Sequence, residues 1–162
     1  MKESNAKARF DSTDLNILQA IQEDSRISNS ELARRINLSQ PATHTRLNRL
    51  EARGLIRNLV SLLDRDKLGL DLICFFYVRL NVHSEEALLC FEKAVLSMSS
   101  ILECHYLTGQ FDYSLKAVFQ NRRELEQFER RVLTPIPEVT QIMTSVVLSE
   151  IKSTTVLPLP TD

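Results

Sequence analysis

The chain has 162 residues, of which 43% are hydrophobic and 25% charged, and its formal net charge is −1. This length suits one domain or two small ones, and the composition is that of a globular protein with a buried core, which excludes a disordered chain. No run reaches the roughly 18 to 20 apolar residues needed to span a bilayer, and the polar N-terminus lacks a secretion signal, so we expect a cytoplasmic protein without a membrane partner.

The first predicted element is a helix that begins at Ser12. Asp11 precedes it and can accept hydrogen bonds from the free backbone N–H groups of the first turn. Apolar residues then recur at helical spacing. The predicted inward-facing residues are Leu15, Leu18 and Ile21.

Two shorter helices follow, and each is marked by its cap. Ser28 and Glu31 have the spacing of a capping box, in which each side chain bonds the backbone N–H of the other residue. Asn37 suits the left-handed residue that ends this second helix. Ser39 is the expected N-cap of the third helix, and Gly54 is its expected end.

Two short helices joined by a tight turn, after a longer helix, form a helix-turn-helix, whose second short helix enters the DNA major groove. Short polar side chains at the start of that helix let its backbone approach bases and phosphates. The predicted DNA-binding residues are Ser28, Ser39, Gln40, His44, Thr45, Arg46, Asn48 and Arg49. Arg46 and Arg49 can equally contact phosphates or pair with acidic neighbours such as Glu51.

The charge of this segment favours DNA binding over an ordinary solvated helix face. Residues 26–57 carry seven Arg against two Glu, whereas residues 61–162 carry ten basic against fourteen acidic side chains. A basic segment without a wide apolar helix face suits a polyanion better than a membrane. We therefore expect double-stranded DNA as a partner.

The rest of the chain reads as a linker and a second domain. The stretch "RNLVSLL" predicts a strand, and Gly69 ends the turn that follows it. Beyond Leu70, apolar strands and amphipathic helices alternate in the order βαββαβ. The sequence predicts an α+β protein with a winged-helix-like helix-turn-helix domain at residues 1–58, a linker at 59–71 and a ferredoxin-like domain at 72–162.

A ferredoxin-like sheet carries both helices on one face, so the other face needs a partner. We expect a second copy of the chain to cover it. The strand residues that could line it are Tyr77, Tyr113, Leu115, Ala117, Ile142 and Val146. Alternation alone does not assign a face to each of them.

The segment "LTGQFDY", residues 107–113, joins the two central strands of this pattern. In a simple hairpin, Gly109 takes a positive φ, Asp112 bonds nearby backbone and Tyr113 packs into the core. Exposed backbone N–H groups also suit an α-carboxylate, and an acidic side chain suits an α-ammonium group. The residues alone leave a hairpin and a ligand site as alternatives.

Four segments resemble the Lrp/AsnC (feast/famine) family of transcription regulators, in family order and at family spacing: "DSTDLNILQAIQEDSRISNSELARRINLS", "RLNRLEARGLIRNLVSLLDRDKLGL", "ECHYLTGQFDYSLK" and "VVLSEIKSTTVLPL". The resemblance implies a sequence-specific DNA-binding regulator whose assembly or DNA affinity responds to a small amino-acid effector. It also implies homodimers that assemble further into tetramers or octamers. Thr43, Thr45 and Asn48 differ from the residues common in the family, so no operator sequence is implied.

The resemblance also implies an effector site. Gly109 and Asp112 match the family turn G-x-x-D-Y, which helps to bind an amino acid between neighbouring subunits. The predicted effector-binding residues are Leu107, Thr108, Gly109, Gln110, Asp112, Tyr113, Thr144 and Val146. Thr144 and Val146 would come from an adjacent dimer. His83 begins a turn and is expected to be solvated.

An enzyme is the competing class, because siroheme decarboxylases resemble these regulators in both domains. Such an enzyme would use His and Arg side chains that line a large pocket, whereas this chain keeps the basic recognition helix. A purely structural oligomerisation module would leave the Arg-rich segment unexplained. The three Cys, at 74, 90 and 104, have no metal-binding spacing and are interpreted as small core residues. The sequence therefore predicts no catalytic residue, no metal site and no cofactor.

Overall fold

The computed structural model describes residues 10–160 and divides the chain into two compact units. Residues 63–151 form one unit, and the residues before and after them form the other. The division falls inside the predicted linker at 59–71. The predicted domains also include residues 1–9 and 161–162, which lie outside the described residues. Between residues 10 and 160, no helix combines the length and the apolar character that crossing a membrane requires.

Three helices form the first unit, as predicted. They are α1 (Ser12–Glu23), α2 (Asn29–Arg35) and α3 (Gln40–Ala52). Each begins with a side chain that accepts a hydrogen bond from the backbone N–H three residues further on; the caps are Asp11, Ser28 and Ser39. Asn37 (φ 56°) and Gly54 (φ 71°) take the left-handed conformations expected at the ends of α2 and α3. The predicted helix-turn-helix is therefore confirmed.

The inward face of α1 differs from the prediction. Asp14, Ile17 and Ala20 are the buried residues of this helix. Leu18 and Ile21 pack only at the edge of the core cluster. Leu15 is partly buried, so the prediction that it lies on the central stripe was wrong. The true stripe is shifted by one residue and contains a carboxylate, which hydrophobic spacing alone does not reveal.

The C-terminal segment returns to the first unit and is bound to α1. The Gln22 side-chain amide donates to the Leu157 carbonyl at 3.0 Å, and the Leu157 N–H donates to Gln22 Oε1, also at 3.0 Å. The Gln22 side-chain amide thus makes the two hydrogen bonds to the Leu157 backbone that a neighbouring strand would otherwise make. Described segments from both sides of residues 63–151 therefore contribute to the first unit.

The predicted strand after α3 is absent from the described residues. Leu59, Val60, Leu62 and Leu63 lie in this stretch without regular structure and are between 60% and 76% exposed. The predicted turn after it is present, with the Leu70 N–H bonded to the Arg65 carbonyl and Gly69 at φ 70°. An extended segment becomes a strand only when a neighbour supplies its ladder hydrogen bonds, and a single chain supplies none here.

The second unit has the predicted βαββαβ order. Its elements are β1 (Leu72–Leu80), α4 (Glu85–Leu96), β2 (Ile101–Tyr106), β3 (Tyr113–Phe119), α5 (Arg122–Phe128) and β4 (Val139–Val146). A π-helical turn, Glu129–Leu133, extends α5. The strands form one antiparallel sheet in the order β2-β3-β1-β4. This arrangement confirms the ferredoxin-like fold.

Aromatic side chains from the sheet and the helices form the core of this unit. Phe76 of β1 lies 5.7 Å from Phe128 of α5, measured between ring centroids, and 6.3 Å from Phe119 of β3. Phe91 of α4 packs against Tyr113 at 4.6 Å. All five side chains are buried. Helices α4 and α5 therefore cover the same sheet face.

The register corrects the prediction for the other sheet face. Tyr113, Leu115 and Ala117 are buried in the core, opposite Val78, Phe76 and Cys74 of β1. Ile142 and Val146 are paired with Val78 and Cys74, so they also belong to the helix-covered side. Residues directly opposite each other share a face, and only Tyr77 of the predicted set lies on the uncovered one. Among the cysteines, Cys74 is buried, whereas Cys90 and Cys104 are exposed, contrary to prediction.

Candidate functional site

The outer face of α3 carries three exposed polar side chains, His44, Thr45 and Asn48. Their spacing places them on one side of the helix, while Thr43 and Leu50 are buried on the other. Asn48 Nδ2 lies 3.3 Å from His44 Nε2, and the Thr45 hydroxyl donates to the carbonyl one turn earlier at 2.9 Å. The structure therefore brings these three predicted DNA-binding residues together, and we refer to them as the α3 outer face.

The starts of α2 and α3 are joined by Asn29. Its side-chain amide donates to the Gln40 carbonyl at 3.2 Å, which places the exposed Ser28 near the exposed Ser39 and Gln40. The Ser28 hydroxyl also lies 3.0 Å from that of Ser30. The first N–H groups of a helix have no intrahelical acceptor and carry partial positive charge. These three predicted residues thus lie together in an arrangement that suits a phosphate group.

Arg46 and Arg49 do not extend from the α3 outer face, because Asp14 binds both. Asp14 Oδ1 accepts from Arg46 at 2.8 Å and from Arg49 at 2.9 Å, and Oδ2 accepts from Arg49 at 2.7 Å. Arg46 also donates to Asp11 at 2.6 Å. Asp14 is only 1% exposed, so its charge depends on these two guanidinium groups. The two arginines join α3 to α1.

Asp14 was not identified from the sequence. The available signal was its position three residues before the buried Ile17, on the same side of the helix. A carboxylate on a core-facing stripe needs a cationic partner. The exposed carboxylate of this network, that of Asp11, also has a shifted pKa. The hydrogen bond from Arg46 lowers the pKa of Asp11 below its ordinary value, and Asp11 in turn raises the pKa of Arg46.

The other arginines of the basic segment fall into two groups. Arg34 binds Glu31, and Arg35 binds Glu23, so their charge is locally neutralised. The pairing with Arg34 engages both oxygens of Glu31 and replaces the reciprocal half of the predicted capping box. Across residues 10–160, the ion pairs leave three arginines of this segment without a carboxylate within 4.0 Å: Arg26, Arg53 and Arg57. Sequence reasoning counted this charge but did not separate paired from unpaired groups.

The turn between β2 and β3 is held by two residues of β1. The Arg79 guanidinium group donates to the Gln110 carbonyl at 2.8 Å and lies over the Phe111 ring, 5.7 Å from its centroid. The Asp112 N–H donates to the Val78 carbonyl at 2.9 Å. Gly109 takes φ 126°, which confirms the predicted positive value. The turn is therefore a fixed part of the sheet edge.

Asp112 uses both carboxylate oxygens inside its own chain. Oδ2 accepts from the Leu80 N–H at 2.8 Å, and Oδ1 lies 2.8 Å from His83 Nε2. Burial raises the pKa of Asp112, but the hydrogen bonds from Leu80 and His83 outweigh it and bring the pKa below its ordinary value. His83 is exposed, as expected, and its ring also contacts a carboxylate 29 residues away in sequence.

The remaining predicted effector residues are divided between the turn and the sheet. Leu107 is partly buried, and Thr108, Gly109 and Gln110 are exposed. Tyr113 is a core residue whose hydroxyl donates to Glu92 at 2.9 Å, and burial raises its pKa. On β4, the Thr144 hydroxyl donates to Glu129 at 2.8 Å, and Val146 is paired with Cys74. One chain does not bring Thr144 and Val146 to the turn, because β1 lies between β4 and the β2–β3 hairpin.

Both units are similar to known protein families. Residues 10–57 match the model of a winged helix-turn-helix DNA-binding domain, and residues 73–157 match that of the Lrp/AsnC ligand binding domain. The two matches together cover most of the chain.

Relatives match over almost their whole length. The chain is 36% identical to the proline dehydrogenase transcriptional activator of Rhizobium radiobacter, over 95% of this chain and 99% of that protein. It is 34% identical to the leucine-responsive regulatory protein of Escherichia coli K12, over 94% and 93%. The solved structure of a transcriptional regulator from Neisseria meningitidis in complex with L-Met has a TM-score of 0.89 and 35% identity, over 93% of this chain and 97% of that one.

Proposed function

Because the chain belongs to the Lrp/AsnC family of transcriptional regulators, we propose that its α3 outer face reads double-stranded DNA and that its residue 107–112 turn binds an amino-acid effector. The chain is a DNA-binding regulator and not an enzyme, since the relatives that it matches are transcriptional regulators. This family membership decides against the siroheme-decarboxylase-like alternative. A regulator of transcription acts where the DNA is, which in a bacterial cell is the cytoplasm.

The proposed DNA contacts have three roles. His44, Thr45 and Asn48 offer hydrogen bonds to base edges, because they lie on the exposed side of α3. Ser28, Ser39 and Gln40, together with Arg26, Arg53 and Arg57, contact phosphates. Arg46 and Arg49 contribute indirectly by holding α3 on Asp14, and their exposed edges remain able to approach the DNA backbone. The observation that carries this proposal is the exposed, polar α3 outer face on a helix whose opposite side is bound to α1 through Asp14.

The proposed effector contacts use both kinds of group that an amino acid requires. In the part of the chain that the structure describes, the N–H groups of Gly109 and Gln110 have no hydrogen-bond acceptor, so they are available to an α-carboxylate. The Asp112 carboxylate suits the α-ammonium group. The regulator from Neisseria meningitidis was solved with L-Met, which supports an amino acid as the ligand class for this chain. Thr144 and Val146 would then be supplied by another copy of the chain.

Self-association fits the surfaces that one chain leaves open. The uncovered sheet face presents Tyr77 and Met143, which are directly opposite each other on β1 and β4. The edge strand β2 exposes Leu102 and Tyr106 by 55% and 60%. Exposed apolar side chains on an uncovered sheet face and on an edge strand are candidates for a protein interface. We propose a homodimer through the sheet and further assembly into tetramers or octamers.

The test combines ligand screening with DNA binding. Thermal-shift measurements with each of the twenty amino acids should identify one that raises the melting temperature, because a ligand that binds only the native state stabilises it. Titration of the protein's own upstream DNA should then show a different affinity or assembly state with that amino acid. Equal affinity for the upstream DNA and for random duplexes at physiological salt would contradict sequence-specific regulation.

A further inference from the structure

We propose that His83 sets the effector affinity of the residue 107–112 turn, because its imidazole occupies the Asp112 oxygen that an α-ammonium group must reach. This inference rests on the proposed function, since it takes Asp112 as the ammonium-binding group. It adds a residue that competes with the ligand and makes the competition depend on pH.

The two oxygens of Asp112 are not equally available. The partner of Oδ2 is the backbone N–H of Leu80, which is part of β1 and cannot leave without disrupting the sheet. The partner of Oδ1 is the His83 side chain, which lies on the connection between β1 and α4. Its side chain is 56% exposed, compared with 15% for Asp112. An incoming ammonium group therefore meets the movable His83 ring at Oδ1, whereas the Leu80 N–H stays in place on Oδ2.

The contact between His83 and Asp112 closely resembles the contact expected for the ligand. A protonated imidazole and an α-ammonium group are both cationic N–H donors to a carboxylate, so repulsion between their positive charges makes them compete at Oδ1. A neutral imidazole is a weaker competitor, because its hydrogen bond to the carboxylate lacks the charge. Affinity for an amino acid should therefore fall as the pH decreases through the range in which an imidazole takes up its proton.

The charged groups around this pair come from three elements. Arg79 of β1 adds a positive charge near Asp112 and is fixed on the Gln110 carbonyl. Glu85 and Glu86 begin α4 and are exposed, so solvent screens their effect on His83. Asp112 itself comes from the turn before β3 and is the carboxylate within 4.0 Å of the ring. Asp112 is thus the carboxylate that directly contacts the imidazole.

The experiment is a calorimetric titration of the full-length wild type and His83→Ala with L-methionine and with L-leucine at pH 5.5, 6.5 and 8. The wild type should bind more weakly at pH 5.5 than at pH 8, by roughly tenfold, as expected for competition by one charge-assisted hydrogen bond. His83→Ala should bind more tightly than the wild type at pH 5.5 and lose most of this pH dependence. His105→Ala is the matched control, because His105 is also exposed and next to a carboxylate, that of Glu103.

The outcomes separate this inference from the proposed function. Binding with the same pH profile in the wild type and His83→Ala would overturn the role of His83 and leave the effector site intact. Weaker binding by His83→Ala at every pH would show that the ring contacts the ligand, which also overturns the competition. If neither amino acid bound to either protein at any pH, while thermal-shift screening with the other amino acids also gave no response, the effector site itself and the inference would both be wrong.

Discussion

Asp14 of α1 and Arg49 of α3 form a two-oxygen ion pair, with Nη2 at 2.9 and 2.7 Å from the two oxygens of a carboxylate that is almost completely buried. Arg46, one turn earlier on α3, shares the same carboxylate. The orientation of the recognition helix therefore depends on α1. Arg46 and Arg49, which the sequence predicts as DNA contacts, thus also hold the helix that carries the α3 outer face.

Replacement of Asp14 by Asn should destabilise the first unit by about 1 to 3 kcal/mol, because an amide satisfies fewer of the hydrogen bonds from Arg46 and Arg49. The double variant Arg46→Ala/Arg49→Ala should cost more, roughly 3 to 5 kcal/mol, because it leaves a buried carboxylate without a partner. Hydrogen exchange of α1 and α3 amides measures the effect. All three Tyr lie in residues 63–151, so tyrosine fluorescence during denaturation provides the control for the second unit. Equal losses in both units would contradict a local role.

Salt dependence should distinguish phosphate contacts from positioning residues. Arg57→Ala should reduce the slope of log K against log salt concentration by about 1, because one phosphate contact and its counterion release are lost. Asp14→Asn should weaken DNA binding with an unchanged slope, since Asp14 is buried behind the helix. Fluorescence anisotropy at several salt concentrations provides both values. An unchanged slope in Arg57→Ala would remove that residue from the interface.

Asn48 should contribute to sequence discrimination. Asn48→Ala should lose about 1 to 3 kcal/mol of preference for the correct operator and retain non-specific binding, because a base-edge contact carries sequence information and a phosphate contact does not. Competition between operator and random duplexes measures the preference. Asn16→Ala, on the exposed side of α1, is the matched control and should behave as the wild type. Equal preferences in all three proteins would assign base reading to other residues.

Asp112→Asn should weaken effector binding by about ten- to a hundredfold, because it removes a charge-assisted hydrogen bond worth roughly 1.5 to 3 kcal/mol. The side-chain oxygen of Asn can still accept from the Leu80 N–H, so the turn should remain folded. DNA binding without the effector should survive. Calorimetry with the amino acid that stabilises the wild type is the measurement. Unchanged affinity would favour the hairpin interpretation of the turn.

Acid should weaken the contribution of Asp11 to stability. Its pKa is lowered mainly by Arg46, so the contribution is complete above the ordinary pKa of 3.8 and is lost as the pH falls through the lower folded value. Because this carboxyl is half exposed, the effect is about 0.2 to 1 kcal/mol. Asp11→Asn, which preserves an N-cap, should be less stable than the wild type at pH 7, and the difference should shrink as the pH falls below 3.8. Hydrogen exchange of α1 amides measures the difference, and a constant difference across this range would exclude Asp11 as its source.

Local rules account for what the sequence predicted well. Asp11, Ser28 and Ser39 each act on an N–H only three residues away, so their caps can be inferred without knowing the tertiary structure. The same reasoning does not connect Asp14 with Arg49, which are 35 residues apart and meet only because α1 crosses α3. The pair His83 and Asp112 was missed for the same reason.

The sheet shows a second limit of prediction from the sequence. Alternation along β3 correctly indicated a strand, but it specified the period and not which face points to the helices. The faces of Leu115 and Ala117 were therefore left open, and pairing with Phe76 and Cys74 puts them in the core. The stretch around Leu59 has the composition of a strand, and composition does not supply the neighbouring backbone that a strand requires.

The return of Leu157 to Gln22 makes the effector-binding unit an insertion within the DNA-binding unit, so the polypeptide crosses between the two units twice. The two units are thus joined by two covalent connections instead of one. They also close a long loop: once residues 63–151 are folded, the two parts of the first unit are tethered and lose less entropy on meeting. A single cut near Leu62 would consequently leave the N-terminal fragment without the segment that bonds to Gln22, even though all three of its helices are intact.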